Sequence, residues 1–384
     1  MQLEPGIIDF ETAEFENRLL KVQAAMRAAK IDALFFTSEA EMRYFTGFRT
    51  LFWQSPTRPW YLIIPLNGKP IAVIPEIGAA LMENTWVEDI RTWSSPHAQD
   101  DGLSLICDGL KSFGTIGMLM GRESALRMPI NDFGMLKNML PHSKFVDATP
   151  LVQKLRMVKS TAEIELIQKI CSIASSSFEN AANLFHVGMP LEDVFRAFKI
   201  DLLRNGADDV PYLVGGAGTG GYADVISPPS QTPLKEGDIL MLDTGATLKG
   251  YFCDFDRNYA FGHASDTAKH AYEILIAATR AAFDAARPGL RCSDLYKIIK
   301  NTIQQENNDV GRFGHGLGMQ LTEAPSLIHF DDTLLEENMV ITLEPSMSVG
   351  EGRIMVHEEN ILIQDGPPRY LSRPAPECLP IVSG

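Results

Sequence analysis

Along residues 13–29, AEFENRLLKVQAAMRAA, apolar side chains recur at Phe15, Leu19, Val22 and Met26, the spacing of a helix with one buried stripe. DALFFT follows as a short apolar run and predicts a buried strand. Further runs in WYLIIPL, PIAVIP and TIGMLM, separated by Gly, Pro and polar turns, extend this into a small α/β domain over residues 1–155. A second domain, residues 156–384, opens with RMVKSTAEIELIQKICSIASSSFENAANLF. Ser160 and Glu163 there have capping-box spacing, and the long helix they start is expected to end before HVGMP. Another helix is predicted at roughly 191–205. The Gly-rich stretch GGAGTGGYADVISPPSQTP then reads as strand-poor, and it lacks the Lys-Ser or Lys-Thr pair of a phosphate loop. DTAKHAYEILIAATRAAFDAARPG and SDLYKIIKNTIQQEN predict two more helices, and the tail returns to strands.

One pattern cuts across these elements. LKEGDILMLDTG (234–245) and LEENMVITLEPS (335–346) superpose without a gap and place Asp243 on Glu344. Downstream, YFCDFD faces MVHEEN and places Asp254 on Glu358 after a three-residue shift. A duplicated strand-loop-strand unit whose copies face each other would gather four carboxylates at one centre. So many buried carboxylates cannot all stay ionised without compensating charge, because each raises the others' pKa and desolvation adds to the effect. Divalent cations supply that charge, and four carboxylates, some bridging, suit two ions roughly 3.5–4 Å apart. His315, between glycines in RFGHGLGMQLTEAPS, is the candidate nitrogen ligand.

Composition narrows the function classes. The 384 residues are 45% hydrophobic and 22% charged, as in ordinary globular proteins, and the net charge of -15 disfavours nucleic acid or an anionic membrane as partner. The first twenty residues carry acids where a secretory signal carries basic and then apolar residues, and no stretch has the length of a membrane span, so a cytoplasmic location is expected. Five scattered cysteines without a CxxC indicate neither a disulfide framework nor a thiolate zinc site.

LDTGA, a GY before the second Asp, GHGLG, LEPS and a final EEN, in that order, resemble the pita-bread metallohydrolases: prolidase, aminopeptidase P, methionine aminopeptidase and the related creatinase. The resemblance covers roughly residues 150–370, and YFTGF with the helix and strand before it resembles the amino-terminal domain of prolidase and creatinase. It implies an α+β protein: a carboxy-terminal pita-bread fold with an internal pseudo-two-fold repeat, and a smaller amino-terminal α/β domain. It further implies metal ligands Asp243, Asp254, His315, Glu344 and Glu358, with Asp254 and Glu358 bridging two ions and Glu344 also the general base. Manganese is the first expectation, with iron, cobalt or zinc as alternatives. The implied activity is that of an Xaa-Pro dipeptidase or aminopeptidase acting on small peptides. A homodimer is implied too, in which the amino-terminal domain covers the partner's site, with Trp53, Arg58 and Trp60 as substrate contacts.

The chain departs from that family pattern in three places. Ile226 and Thr322 stand where the peptidases carry non-ligand histidines, and Val356 stands where they carry an Arg. Thr322 is therefore the candidate substrate-side residue of its loop. Asp256 replaces a usual Thr, and strand alternation puts it on the face of Asp254. It is expected either to pair with Arg257 or orient a ligand, or to act as an extra ligand or catalytic acid/base. His357 is expected to face away from Glu358 as a structural residue. The departures keep open a second class of function: a lyase resembling the peptidase-like dimethylsulfoniopropionate lyase, or a creatinase-like C–N hydrolase of a small zwitterion.

Overall fold

The computed structural model describes residues 9–55, 58–305, 311–350 and 352–382. The chain divides into two compact units, residues 1–155 and 156–384. In the first, six strands run in the order Asp89–Trp93, Ile71–Pro75, Tyr61–Pro65, Ala33–Phe36, Thr115–Met118, Lys144–Asp147. Apolar runs form its centre because both faces of the sheet are covered, so Ala33, Leu34, Phe35 and Phe36 are all buried. Ala33, Phe35, Tyr61 and Ile63 pack with Leu103, Ile106 and Leu136 of the helices Leu103–Leu110 and Ile130–Met139. The helix predicted at 13–29 is Thr12–Ala29, with Phe15, Leu19, Val22 and Met26 buried. Trp53 and Trp60 are 3% and 2% exposed, in an aromatic cluster with Phe48 and Phe52, and Arg127 lies over the Trp53 ring. Both indoles are thus core groups of this unit, and Arg58 is half-buried.

The second unit is built twice over. Helices α1 (Thr161–Glu179) and α2 (Leu191–Arg204) precede strands β1 (Asp209–Thr219), β2 (Asp238–Leu248) and β3 (Phe255–Phe261). Helices α3 (Asp266–Ala285) and α4 (Cys292–Ile303) precede β4 (His315–Gly316), β5 (Val340–Leu343) and β6 (Glu359–Leu362). Strand β2 lies between β1 and β3 in one sheet, and β5 lies between β4 and β6 in the other. The repeat extends to single hydrogen bonds at one constant spacing. Gly188 N donates to Leu234 O and Gly289 N to Leu335 O, both at 2.8 Å, while Leu191 N donates to Thr232 O and Cys292 N to Thr333 O, both at 3.0 Å. Gly237 and Asn338, equivalent positions ahead of β2 and β5, both take left-handed backbone, with φ of 84° and 69°. The internal pseudo-two-fold repeat expected of a pita-bread fold is therefore present. One core serves both copies, with Ile239, Met241, Ile341 and Leu343 packed among side chains of α3 and α4.

The capping box forms as read: the Ser160 hydroxyl accepts from Glu163 N at 3.3 Å, and Glu163 returns an acceptor to Ser160 N at 2.8 Å. The helix it opens stops earlier than expected, at Glu179, with a separate turn at Ala181–Leu184. The Gly-rich stretch corrects a second expectation, since its first part lies in the eleven-residue strand β1. Glycine there serves close approach, because a Cβ on Gly215 would sit 2.1 Å from Met241 O and one on Gly216 would sit 2.2 Å from Asp224 O. Strand pairing across the sheet overrides the local preference of glycine for turns. The last residues of the expected helix SDLYKIIKNTIQQEN lie outside the described residues.

Candidate metal centre

The two copies bring their carboxylates in by equivalent routes. Asp243 sits within β2, and Glu344 immediately follows β5; Asp254 immediately precedes β3, and Glu358 immediately precedes β6. Asn360 on β6 fixes the meeting point by accepting from Asp254 N at 3.0 Å and donating to Asp254 O. Asn258 on β3 reaches the other way, donating to Val356 O at 2.7 Å.

Asp254, His315 and Glu358 each place one ligand atom so that the three lie within 4.8 Å of one another. His315 Nε2 is 3.4 Å from Asp254 Oδ2. Its other nitrogen, Nδ1, contacts Gly316 O at 2.9 Å, which assigns the proton to Nδ1 and leaves the Nε2 lone pair facing the carboxylates. Burial holds this imidazole neutral, with its pKa lowered to about 4. A neutral imidazole is the form that binds metal.

The acids are displaced the other way. Burial, then repulsion from neighbouring carboxylates, holds Asp243, Asp254 and Glu358 well above the ordinary carboxylate range. Glu344 rises to about 7 through burial and the charge of Asp256, against the pull of Arg312. Among the five, Glu344 alone keeps partial solvent access; the other four are buried. Tyr212 on β1 donates to Asp243 Oδ2 at 3.1 Å, whereas Asp243 Oδ1 and Glu358 Oε1 are buried without a hydrogen-bond partner among the described residues. Unpaired buried carboxylate oxygens are costly unless protonated or matched by a cation. An oxygen-rich pocket with one neutral imidazole and unpartnered inward oxygens fits divalent metal.

Asp256 stands opposite Asp243 in the β2–β3 register. It does not pair with Arg257 through its side chain. The Arg257 guanidinium instead meets the carboxylate of Glu359 at 2.9 Å and the main-chain O of Asp256 at 2.5 Å, because consecutive strand residues point to opposite faces. His357 is more than a bystander, since its Nδ1 lies 3.6 Å from Asp256 Oδ1. Thr322 is half-buried at the end of the GHGLG loop, and the loop's fixed point is its neighbour. Glu323 accepts from Gln320 N at 3.0 Å and pairs with Arg156 and, at 3.3 Å, with Lys159. Ile226 is 77% exposed, and Val356 is buried with its N–H donating to Tyr222 OH at 2.6 Å.

Residues 165–365 match the model of the metallopeptidase family M24, and residues 18–158 match the creatinase/prolidase N-terminal domain. The chain belongs to the metallopeptidase family M24. Its M24 match takes in every residue of the centre, and metal chemistry is the family's own. The putative dipeptidase YkvY of Bacillus subtilis is 26% identical, covering 91% of this chain and 96% of its own. The Xaa-Pro dipeptidase of Pyrococcus furiosus is 25% identical, covering 95% and 100%. Among solved structures, the fold is shared with the prolidase from Thermococcus sibiricus (TM-score 0.86, 22% identity, covering 97% of this chain and 100% of that one). It is shared as well with dipeptidase PepE from Mycobacterium ulcerans (TM-score 0.84, 24% identity, covering 98% and 100%). Among the described residues, no helix is long and apolar enough to cross a membrane.

Tyr212 and Arg312 join this M24 centre without having been singled out in the sequence. Tyr212 reaches Asp243 only through the pairing of β1 with β2, a long-range register that its own neighbours do not encode. Arg312 was legible in principle, as the one basic residue in RFGHGLGMQLTEAPS, and its charge lowers the pKa of both Asp254 and Glu344.

Proposed function

We propose that this M24 protein is a dinuclear metal-dependent hydrolase of small peptides with proline after the scissile bond, an enzyme of the Xaa-Pro dipeptidase kind. The observation that carries the reading is the convergence of Asp254, His315 and Glu358 within 4.8 Å, beside carboxylate oxygens that have no hydrogen-bond partner among the described residues. The Xaa-Pro dipeptidase of Pyrococcus furiosus among the relatives supports the substrate class. Asp243 would hold one ion and His315 the other, with Asp254 and Glu358 shared and Glu344 beside His315. The donor set favours manganese, with iron, cobalt or zinc as alternatives.

Divalent ions held there would supply the Lewis acidity that polarises the scissile carbonyl and readies a water for attack at neutral pH. Glu344 takes the proton from that water. Its partial solvent access suits the exchange of that proton. Glu344 then returns the proton to the leaving amine, which departs as proline. Thr322 offers the substrate a hydroxyl where the peptidases offer an imidazole. Asp256 is a second buried carboxyl, available as an acid/base or ligand. A homodimer and a cytoplasmic setting belong to the same proposal.

The test is release of proline from a panel of Xaa-Pro dipeptides, and of Pro-Yaa from Xaa-Pro-Yaa tripeptides, by manganese-loaded protein. The expected result is turnover above about 1 s⁻¹, within the usual enzyme range. Absence of release from metal-replete protein shifts the assignment to a second reading, a lyase or C–N hydrolase of a small zwitterion. What favours that reading is that an exposed Ile226 and a Thr322 occupy the places of both non-ligand histidines.

A further inference from the structure

Asp256 is 1% exposed, and among the described residues no hydrogen bond of good geometry reaches either of its carboxylate oxygens, the nearest donors being His357 and the Glu358 backbone N–H. Direct opposition to Asp243 across antiparallel strands puts the two side chains on one face of the sheet. Behind it lies a line of buried side chains. His357 Nδ1 is 3.6 Å from Asp256 Oδ1, and His357 Nε2 is 3.5 Å from Glu359 Oε1. Glu359 is held from three sides: by Arg257 at 2.9 Å, by the Ser372 hydroxyl, and by Ala375 N at 2.8 Å. Arg257 is anchored in turn on the main-chain oxygens of Asp256, Glu358 and Arg373.

This arrangement is directional. Glu359 and Arg257 are saturated with partners and cannot swing away, so they fix the imidazole, and the imidazole faces one oxygen of Asp256. The other oxygen, Oδ2, makes no well-formed hydrogen bond among the described residues. A carboxylate so deep in the protein requires a positive or donating partner at each open oxygen. The family's usual Thr at this position would carry no such charge.

We propose that Asp256 is an additional oxygen ligand on the Asp243 side of the centre, and that His357, held by Glu359 and Arg257, is the positioning residue that aims it. The inference rests on the metal-centre reading above and adds one carboxylate to it. Groups that orient a ligand from behind are worth about 10–100-fold in metal affinity, and that is the scale of effect expected here.

The experiment is calorimetric titration of Mn²⁺ into metal-stripped full-length protein, with electron paramagnetic resonance spectra of the bound manganese. Asp256→Asn weakens one of the two binding steps by about 10–100-fold and leaves the other within about threefold. Asp256→Thr, carrying the residue usual in the family, gives the same loss and covers the case in which the Asn variant misfolds. His357→Gln loses part of that affinity and alters the manganese spectrum of the same step. The double variant Asp256→Asn/His357→Gln binds no more weakly than Asp256→Asn alone, because His357 acts only through Asp256. Wild-type binding of two ions together with unchanged affinity in the Asp256 variants overturns the inference alone. Losses that multiply in the double variant overturn the positioning role of His357. A wild-type protein that binds no manganese overturns the metal-centre reading, and this inference with it.

Discussion

Stripped of divalent metal, the protein loses thermal stability as the pH rises from about 5 to 8, and manganese restores it. Burial and mutual repulsion keep protons on Asp243, Asp254, Glu344 and Glu358 in the folded chain at pH values where the unfolded chain has released them. For an acid whose pKa is raised on folding, the native state binds more protons than the unfolded state between the two pKa values. The stability this contributes is complete below the unfolded pKa and is lost as pH climbs through the folded one. Glu344, moving from 4.5 to about 7, accounts alone for a loss on the order of 3 kcal/mol across that window. In a unit of this size that corresponds to a fall in Tm on the order of 10 °C. Metal reverses the slope because its affinity rises as the carboxyls lose their protons. Scanning calorimetry of metal-free and manganese-loaded protein between pH 5 and 8 checks this. Parallel curves for the two forms would contradict it.

Replacing the proposed base has the second large effect: Glu344→Gln lowers kcat for Xaa-Pro dipeptides by about 10²–10⁴-fold, the usual worth of a positioned general base. Gln keeps the side chain's size and one acceptor oxygen but cannot take a proton. The substitution also removes one carboxylate from an over-acidic cluster, so the metal-free variant is more stable than the metal-free wild type at pH 8. A merely structural residue moves activity and stability in the same direction. Steady-state kinetics at saturating manganese, paired with melting curves of the metal-free proteins, separates the two. A loss of kcat below tenfold would remove Glu344 from the base role.

Some of this architecture was readable from local chemistry. The capping box at Ser160 and Glu163 involves residues three apart and forms as its spacing dictates. The duplication of Asp243 and Asp254 onto Glu344 and Glu358 was readable because both copies keep the same strand-loop-strand frame, down to the residue preceding β3 and β6. What escaped depends on pairing between distant segments. Gly215 and Gly216 look like turn residues until β2 lies alongside β1 and brings Met241 O against Gly215, while the chain's return after β1 brings Asp224 O against Gly216, so that no larger residue fits at either. Tyr212 gains its place beside Asp243 from the same register. Strand alternation predicted that Asp256 would face the centre, but it could not reveal His357 behind it, because His357 arrives from the other copy of the repeat. Trp53 and Trp60 were open to two readings as a sequence, and packing against Phe48 and Phe52 places them in the core of their own unit.

Asp243, Asp254, His315, Glu344 and Glu358 are proposed to form one site for two divalent ions. The most direct measurement is the number of manganese ions retained per chain at pH 7.5, counted by elemental analysis after stripping, reloading and gel filtration. Two per chain are expected for the wild type, with fewer in Asp254→Asn, whose carboxylate would be shared between both ions. A wild-type count of zero, or a count that Asp254→Asn leaves unchanged, contradicts the proposal.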